Sequence, residues 1–254
     1  MISIEINGQK VTCKEGSTIL DVAKNIGIFI PTLCYHETLS PYGACRLCLV
    51  EILKGSRIGL ESSCTYPVEE NLIVETDNER IRKARRMIIE LLLARCPGVE
   101  IIQKLASEYG VEKTRFSLEK EDCILCGLCV RVCNEIIKKN SIGFANRGAK
   151  RTVTTPFDLP SDFCLGCGAC AAICPTGAIK ITETKEIREI NRWKTKLEMK
   201  KCEVCGKPFI PIKEYEFLRD ELIKIDFPIT LLSICFDCRK KQSADKLINI
   251  KEFI

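Results

Sequence analysis

The 254-residue chain carries 18 cysteines and a single histidine, His36, with aromatics at only 6%, so small metal-nucleated modules are expected rather than one large aromatic core. One histidine excludes a Rieske centre, which needs two imidazoles on one iron, and zinc fingers built on two cysteines and two histidines. A net charge of +5, with acids and bases mixed along most of the sequence, argues weakly for nucleic acid and not at all for a membrane surface.

The chain opens with ISIEI, an Asn7-Gly8 turn and QKVTC, which reads as a β-hairpin. A helix is expected next, capped by Thr18 with Asp21 three residues on, striped by Ile19, Leu20, Val22 and Ala23, and ended at Gly27. Cys34, Cys45 and Cys48 follow, then the strand-like LCLVEIL and Cys64, a variant of the plant-type 2Fe-2S spacing with a longer first interval. Gly43 and Ala44 are small where a loop must wrap a cluster and let backbone N–H groups approach sulfur. A four-cysteine zinc site is the alternative, but such sites usually pair two CxxC units, and Cys34 and Cys64 stand outside one.

Residues 77–95 read as a helix with Ile81, Ala84, Ile88, Leu91 and Leu92 on one face and Arg82, Lys83, Arg85 and Arg86 off it. Pro97-Gly98 stops it, and a shorter helix over 99–109 ends at Gly110. Two runs of C-x2-C-x2-C-x3-C come next: Cys123, Cys126, Cys129, Cys133, and Cys164, Cys167, Cys170, Cys174. In the two-cluster bacterial ferredoxin pattern the fourth cysteine of each run ligates the other cluster. The expected ligand sets are therefore Cys123, Cys126, Cys129 and Cys174 for one 4Fe-4S cluster, and Cys164, Cys167, Cys170 and Cys133 for the other. Zinc has no use for the third cysteine of each triplet. Residues 141–162 are longer than a minimal ferredoxin needs and are expected to form an excursion or hairpin. Gly166, Gly168 and Ala171 satisfy G-x-G-x-x-A but are interleaved with cysteines and follow no hydrophobic strand, so no dinucleotide fold is read there.

A basic, partly helical linker is expected over 184–201, with the only tryptophan, Trp193. It leads to Cys202-x2-Cys205 and Cys235-x2-Cys238, with a Cys205-Gly206 knuckle turn and a helix over 214–225 between the pairs. Two CxxC pairs make a closed tetrahedral site, for which zinc is the first choice; mononuclear iron or a further cluster is the alternative. The expected domains are 1–76, 77–115, 116–183 and 184–254.

The stretches CYHETLSPYGACRLCLVEI, SSCTYPVEENLIVET and CILCGLCVRVCNE resemble one family. It comprises the large peripheral iron-sulfur subunit of complex I and the diaphorase iron-sulfur subunit of NAD-linked NiFe hydrogenases. The resemblance implies an α+β chain: a β-grasp 2Fe-2S ferredoxin domain, a helical linker, a two-cluster ferredoxin domain and a small four-cysteine module. The family carries a further cluster held by one histidine and three cysteines, of which only Cys96 is retained, so that cluster is expected to be absent and Cys96, like Cys13, to be a packed thiol. His36 is expected to be either a hydrogen-bond donor beside the cluster or a surface imidazole. Arg131, Arg147 and Arg151 either favour reduced clusters or are solvated or docking charges.

Three clusters without a nucleotide fold imply a conductor with no autonomous active site. By resemblance its partners in a hetero-oligomer are a flavin-containing NAD(P)H dehydrogenase-type subunit and a catalytic subunit of hydrogenase or formate dehydrogenase type. A subunit of an electron-bifurcating oxidoreductase is one alternative, and a redox-sensing or zinc-ribbon nucleic-acid-binding regulator another. The start, MISIEINGQK, lacks an apolar signal core and the longest apolar stretch, 87–94, is interrupted by Glu90, so a soluble cytoplasmic protein without membrane insertion is expected.

Overall fold

A computed structural model describes residues 1–226 and 228–250, with side chains to residue 244. They divide into two compact units, one of Met1–Ile136 with Ile173–Ala178 and one of Ile137–Ala172 with the described residues from Ile179 onward.

In the first unit β1 (Ile2–Ile6) and β2 (Gln9–Cys13) form the hairpin, with Asn7 and Gly8 both left-handed at φ 50 and 79. Both central residues of such a turn need positive φ, which Asn and Gly tolerate best. Helix α1 (Ile19–Asn25) carries the capping box read from the sequence: Asp21 N–H donates to Thr18 Oγ1 at 3.2 Å and Thr18 N–H to Asp21 Oδ2 at 3.0 Å. Strands β3 (Leu49–Lys54), β4 (Gly59–Ser62) and β5 (Ile73–Glu75) complete a sheet of order β2-β1-β5-β3-β4, in which only the β1–β5 pair is parallel. Ile4, Ile6, Val50, Ile52 and Val74 from the sheet meet Ile19, Leu20, Val22 and Ala23 of α1 in one core, each aliphatic side chain contributing about 1.5–3 kcal/mol of burial.

Helix α2 (Glu79–Arg95) starts on Asn78, whose Oδ1 accepts from Ile81 N–H at 2.9 Å, and α3 (Glu100–Glu108) follows the Pro97-Gly98 break. The buried stripe of α2 differs from the expected one. Ile81, Arg85, Ile89, Glu90 and Ala94 are inside, whereas Leu91 is exposed, so Arg85 belongs to the inner face and not to the solvated one. A second core joins Ile89, Cys96, Val99, Ile102 and Ala106 to Leu33 and Leu47 of the first cysteine loop. Helix α4 (Leu128–Arg131) lies inside the first ferredoxin run.

In the second unit β6 (Gly143–Ala145) pairs antiparallel with β7 (Thr152–Thr154), the expected hairpin excursion, and α5 (Ala169–Ala172) lies in the second ferredoxin run. Strands β8 (Ile181–Glu183), β9 (Ile187–Ile190), β10 (Thr195–Lys201) and β11 (Pro208–Pro211) form an antiparallel sheet in chain order. The partly helical linker expected over 184–201 is thus two sheet strands around a single 3-10 turn, Asn191–Trp193. The reason is the period-two burial of β10: Thr195, Leu197 and Met199 point inward between exposed Lys196 and Glu198. Helices α6 (Ile212–Lys224) and α7 (Phe236–Ile250) close the unit. Among the described residues no helix is long and apolar enough to cross a membrane.

Candidate iron-sulfur and metal centres

In the first unit Cys34, Cys48 and Cys64 are buried and Cys45 is half-buried. They converge as two close pairs. Cys48 Sγ lies 3.3 Å from Cys64 Sγ, while Cys45 N–H donates to Cys34 Sγ at 3.4 Å and the two thiols hydrogen-bond each other. The Cys34 thiol and then the Leu47 and Leu33 N–H groups lower the Cys45 thiol to about 6, and the Cys64 thiol and backbone N–H do the same for Cys48. Such donors favour thiolate, the form that binds iron. Gly43 sits at φ 69, left-handed backbone that favours glycine, with a Cβ position 3.2 Å from Thr65 Cγ2, so a side chain there would strain the turn and crowd Thr65. The buried Ser63 hydroxyl, which has no oxygen or nitrogen partner, stands beside Cys48 and leaves a donor for sulfur. Two thiol pairs ringed by donors to sulfur fit a 2Fe-2S cluster.

The first ferredoxin run lies beside this loop in the same unit. Burial raises the Cys126 thiol to about 11, opposed by Leu128 N–H and reinforced by the thiols of Cys174, Cys123 and Cys45. Cys174, carried by the Ile173–Ala178 segment, is therefore an electrostatic neighbour of Cys126. Arg95 Nε donates to the Cys123 carbonyl at 2.8 Å. The Arg131 guanidinium donates to the carbonyls of Cys34 and Ser40, and Glu135 accepts from Ser40 N–H, so α4 and the turn carrying Cys133 are tied to the loop of Cys34. Arg131 thus bonds backbone, whereas Arg151 stacks over Phe144 at 4.0 Å and Arg147 is exposed.

In the second unit Cys164, Cys167 and Cys170 are half-buried against the sheet. Trp193, 2% exposed, donates its indole N–H to Cys170 Sγ at 3.5 Å. Gly166 is left-handed at φ 74, and a Cβ there would stand 2.5 Å from Leu197 Cδ1 of β10 and 3.1 Å from Pro211 Cγ. Its carbonyl accepts from Arg188 at 2.8 Å, and Arg188 also pairs with Glu183 at 2.7 Å. The glycine that imitates a dinucleotide motif is explained by this approach of β10. Sequence reasoning missed Trp193, Arg188 and Arg85 as supports, because the groups they hold in the cysteine loops, Cys170 Sγ and the carbonyls of Gly166 and Leu47, lie 22 to 38 residues away in the chain.

The C-terminal sulfurs of Cys202, Cys205, Cys235 and Cys238 all lie within 4.8 Å of one another. Four thiolates about 2.3 Å from a tetrahedral zinc are spaced on this scale, while a four-iron cube spreads its ligands wider. Burial acts to raise Cys202, but N–H groups of Cys235, Cys205 and Val204 outweigh it and lower the thiol to about 6. Gly206, at φ 71, follows Cys205 in the expected knuckle.

Of the remaining sites, Cys96 is fully buried among apolar side chains, its thiol raised to about 11 chiefly by burial. Cys13 packs in the first core, its thiol donating to the Ile2 carbonyl at 3.8 Å. His36 is exposed, with Nδ1 accepting from Thr38 N–H at 3.3 Å.

Residues 1–79 match the 2Fe-2S iron-sulfur cluster binding domain, residues 114–180 the ferredoxin-like domain of NADH-quinone oxidoreductase subunit 3, and residues 163–207 a 4Fe-4S dicluster domain. Among curated proteins, 181 residues are 32% identical to the mitochondrial NADH-ubiquinone oxidoreductase 78 kDa subunit of Candida albicans, covering 61% of this chain and 25% of that one. The chain resembles the complex I large peripheral iron-sulfur subunit. It is also similar to an NADP-reducing hydrogenase subunit of Solidesulfovibrio fructosivorans, at 35% identity over 62% of this chain and 32% of that one. A solved NAD+-reducing [NiFe]-hydrogenase chain superposes with a TM-score of 0.59 at 27% identity, over 70% of this chain and 86% of that one. The chain spans about a quarter of the length of the first curated relatives.

Proposed function

We propose that the chain is an iron-sulfur electron-transfer subunit, relaying electrons between a flavin-containing NAD(P)H-oxidising subunit and a catalytic subunit such as a NiFe hydrogenase or formate dehydrogenase. The ligand sets are Cys34, Cys45, Cys48 and Cys64 for a 2Fe-2S cluster, Cys123, Cys126, Cys129 and Cys174 for one 4Fe-4S cluster, and Cys164, Cys167, Cys170 and Cys133 for a second. When bound, these clusters supply one-electron chemistry at potentials that burial and hydrogen bonds to sulfur adjust. One observation carries the reading: inside the first unit the thiol of Cys45 acts on that of Cys126, and Arg131 fastens the ferredoxin run to the carbonyl of Cys34. Two cysteine groups held that close suit passage of an electron and serve no purpose in a zinc scaffold. The relatives named as subunits of NADH- or NADP-linked oxidoreductases support a hetero-oligomer. The Cys202, Cys205, Cys235 and Cys238 site is read as structural zinc, supported by its close sulfur spacing.

Anaerobic purification, iron and acid-labile sulfide analysis, and EPR of the reduced protein test this reading. About ten cluster irons per chain are expected, with distinct 2Fe-2S and 4Fe-4S signals. Fewer than two distinct cluster signals after full reconstitution would overturn it. Identification of co-purifying chains tests the partners, and a flavoprotein is expected among them.

A further inference from the structure

Two charged side chains are buried among the described residues, Arg85 and Glu90. Glu90 is accounted for by Arg115, which contacts its two oxygens at 2.9 Å each. Arg85 has no such partner. At 3% exposure in the middle of the inner stripe of α2, it donates through Nε to the Leu47 carbonyl at 3.1 Å and through Nη2 to the Leu49 and Thr76 carbonyls at 2.7 and 3.1 Å. Nη1 reaches the Tyr109 hydroxyl at 3.4 Å. Every acceptor is neutral. The carboxylate in its field, Asp77, spends its oxygens on Arg82.

A buried ion held only by neutral dipoles is costly, and an aliphatic side chain would fill the place between Ile81 and Ile89 at less expense. The charge therefore needs a partner that the side chains do not provide. Leu47 and Leu49 flank Cys48, and Leu47 N–H also donates to Cys45 Sγ. The guanidinium thus grips the loop that carries two of the four proposed 2Fe-2S ligands. That cluster with four thiolates is net negative, and more so by one charge when reduced.

We propose that Arg85 is the buried counter-charge of the 2Fe-2S site, holding the Cys48 loop through its main-chain bonds and favouring the reduced cluster through its charge. This rests on the 2Fe-2S reading of Cys34, Cys45, Cys48 and Cys64. Arg85 is a positioning residue, and its charge is the property to be tested.

The test is a redox titration of the full chain, reconstituted anaerobically and followed by EPR, for wild type, Arg85→Lys, Arg85→Gln and Arg85→Met. The two neutral variants should shift the 2Fe-2S midpoint to lower potential and leave the 4Fe-4S signals in place. Arg85→Lys, which keeps the charge and loses the fork, should stay close to wild type. If the neutral variants do not retain the cluster, its retention by Arg85→Lys alone supports the proposal. An unchanged midpoint in a loaded neutral variant overturns it, as does an equal drop or equal cluster loss in Arg85→Lys, which would make the fork geometry the whole effect. If wild type itself gives no 2Fe-2S signal, the cluster reading has failed and not the role of Arg85.

Discussion

At the scale of single residues, the side chains that tune a thiolate matter as much as the thiolates. Trp193 has one polar atom, and it is spent on Cys170 Sγ. A hydrogen bond to sulfur stabilises the more negative, reduced state, and bonds to charged acceptors are worth about 1.5–3 kcal/mol in total. Trp193→Phe keeps the packing and removes that donor. It should lower the potential of one 4Fe-4S cluster by tens of millivolts, at roughly 59 mV per tenfold change in a one-electron equilibrium, and leave the 2Fe-2S midpoint alone. EPR-monitored titration checks it, and equal shifts of every cluster would count against a local bond. Cys96 makes the opposite case, because its buried thiol, raised to about 11, stays neutral and packs. Cys96→Ser buries a hydroxyl in apolar surroundings, at a cost of about 1–3 kcal/mol in thermal unfolding, with iron and sulfide content unchanged. Loss of a 4Fe-4S signal in that variant would place Cys96 in a site after all.

At the scale of elements, local rules were legible and long-range ones were not. Helix α1 could be read residue by residue because Thr18 and Asp21 cap it within one turn, and Thr18→Ala should cost about 1 kcal/mol in thermal unfolding. The cysteine groups were equally plain, since C-x2-C-x2-C-x3-C is a local pattern. Arg85 was misplaced because a charged residue on a helix defaults to the solvent, and two of the three carbonyls that receive it, those of Leu49 and Leu47, lie 36 and 38 residues upstream. The run TKLEMKK was misread for a related reason. Its lysines and glutamate suggest a solvated linker, while Leu197 and Met199 carry a strand period that only the neighbouring strand makes decisive. Gly166 joins the two scales, being the point where the second ferredoxin run meets β10. Gly166→Ala combines a left-handed residue, about 1–2 kcal/mol, with overpacking against Leu197 and Pro211, about 1–3 kcal/mol. It should lose about four irons per chain on purification, whereas Gly27→Ala, at φ 78 with open space around it, should keep full iron. Equal iron in both variants would mean that β10 does not shape the loop.

At the scale of the molecule, the C-terminal cysteines belong to the sheet that supports the second ferredoxin run. Cys202 follows β10 directly, and within β10 or just before it stand Leu197, under Gly166, and Trp193, against Cys170. Cys235 and Cys238 bring the start of α7 onto the same four-sulfur site. Zinc has no accessible redox change, so a zinc here acts by holding these strands and helices together, and in small metal modules the binding free energy is folding free energy. Metal analysis of the full chain should therefore give about one zinc per chain, lost in Cys205→Ser and Cys238→Ser. Both variants should keep the 2Fe-2S signal, whose proposed ligands lie wholly in the first unit. They should disturb the 4Fe-4S cluster that Cys170 is proposed to hold, because Trp193 and Leu197 lose the anchor at the end of their strand. The disturbance is read as a changed EPR line shape and a faster loss of iron on standing, and weaker capture of the co-purifying subunits should accompany it. If the variants lose about one iron in place of zinc, the site is a mononuclear iron centre and a fourth redox station. If all cluster signals remain as in wild type while zinc is gone, the metal stabilises only β11, α6 and α7, and the sheet under the second run stands without it.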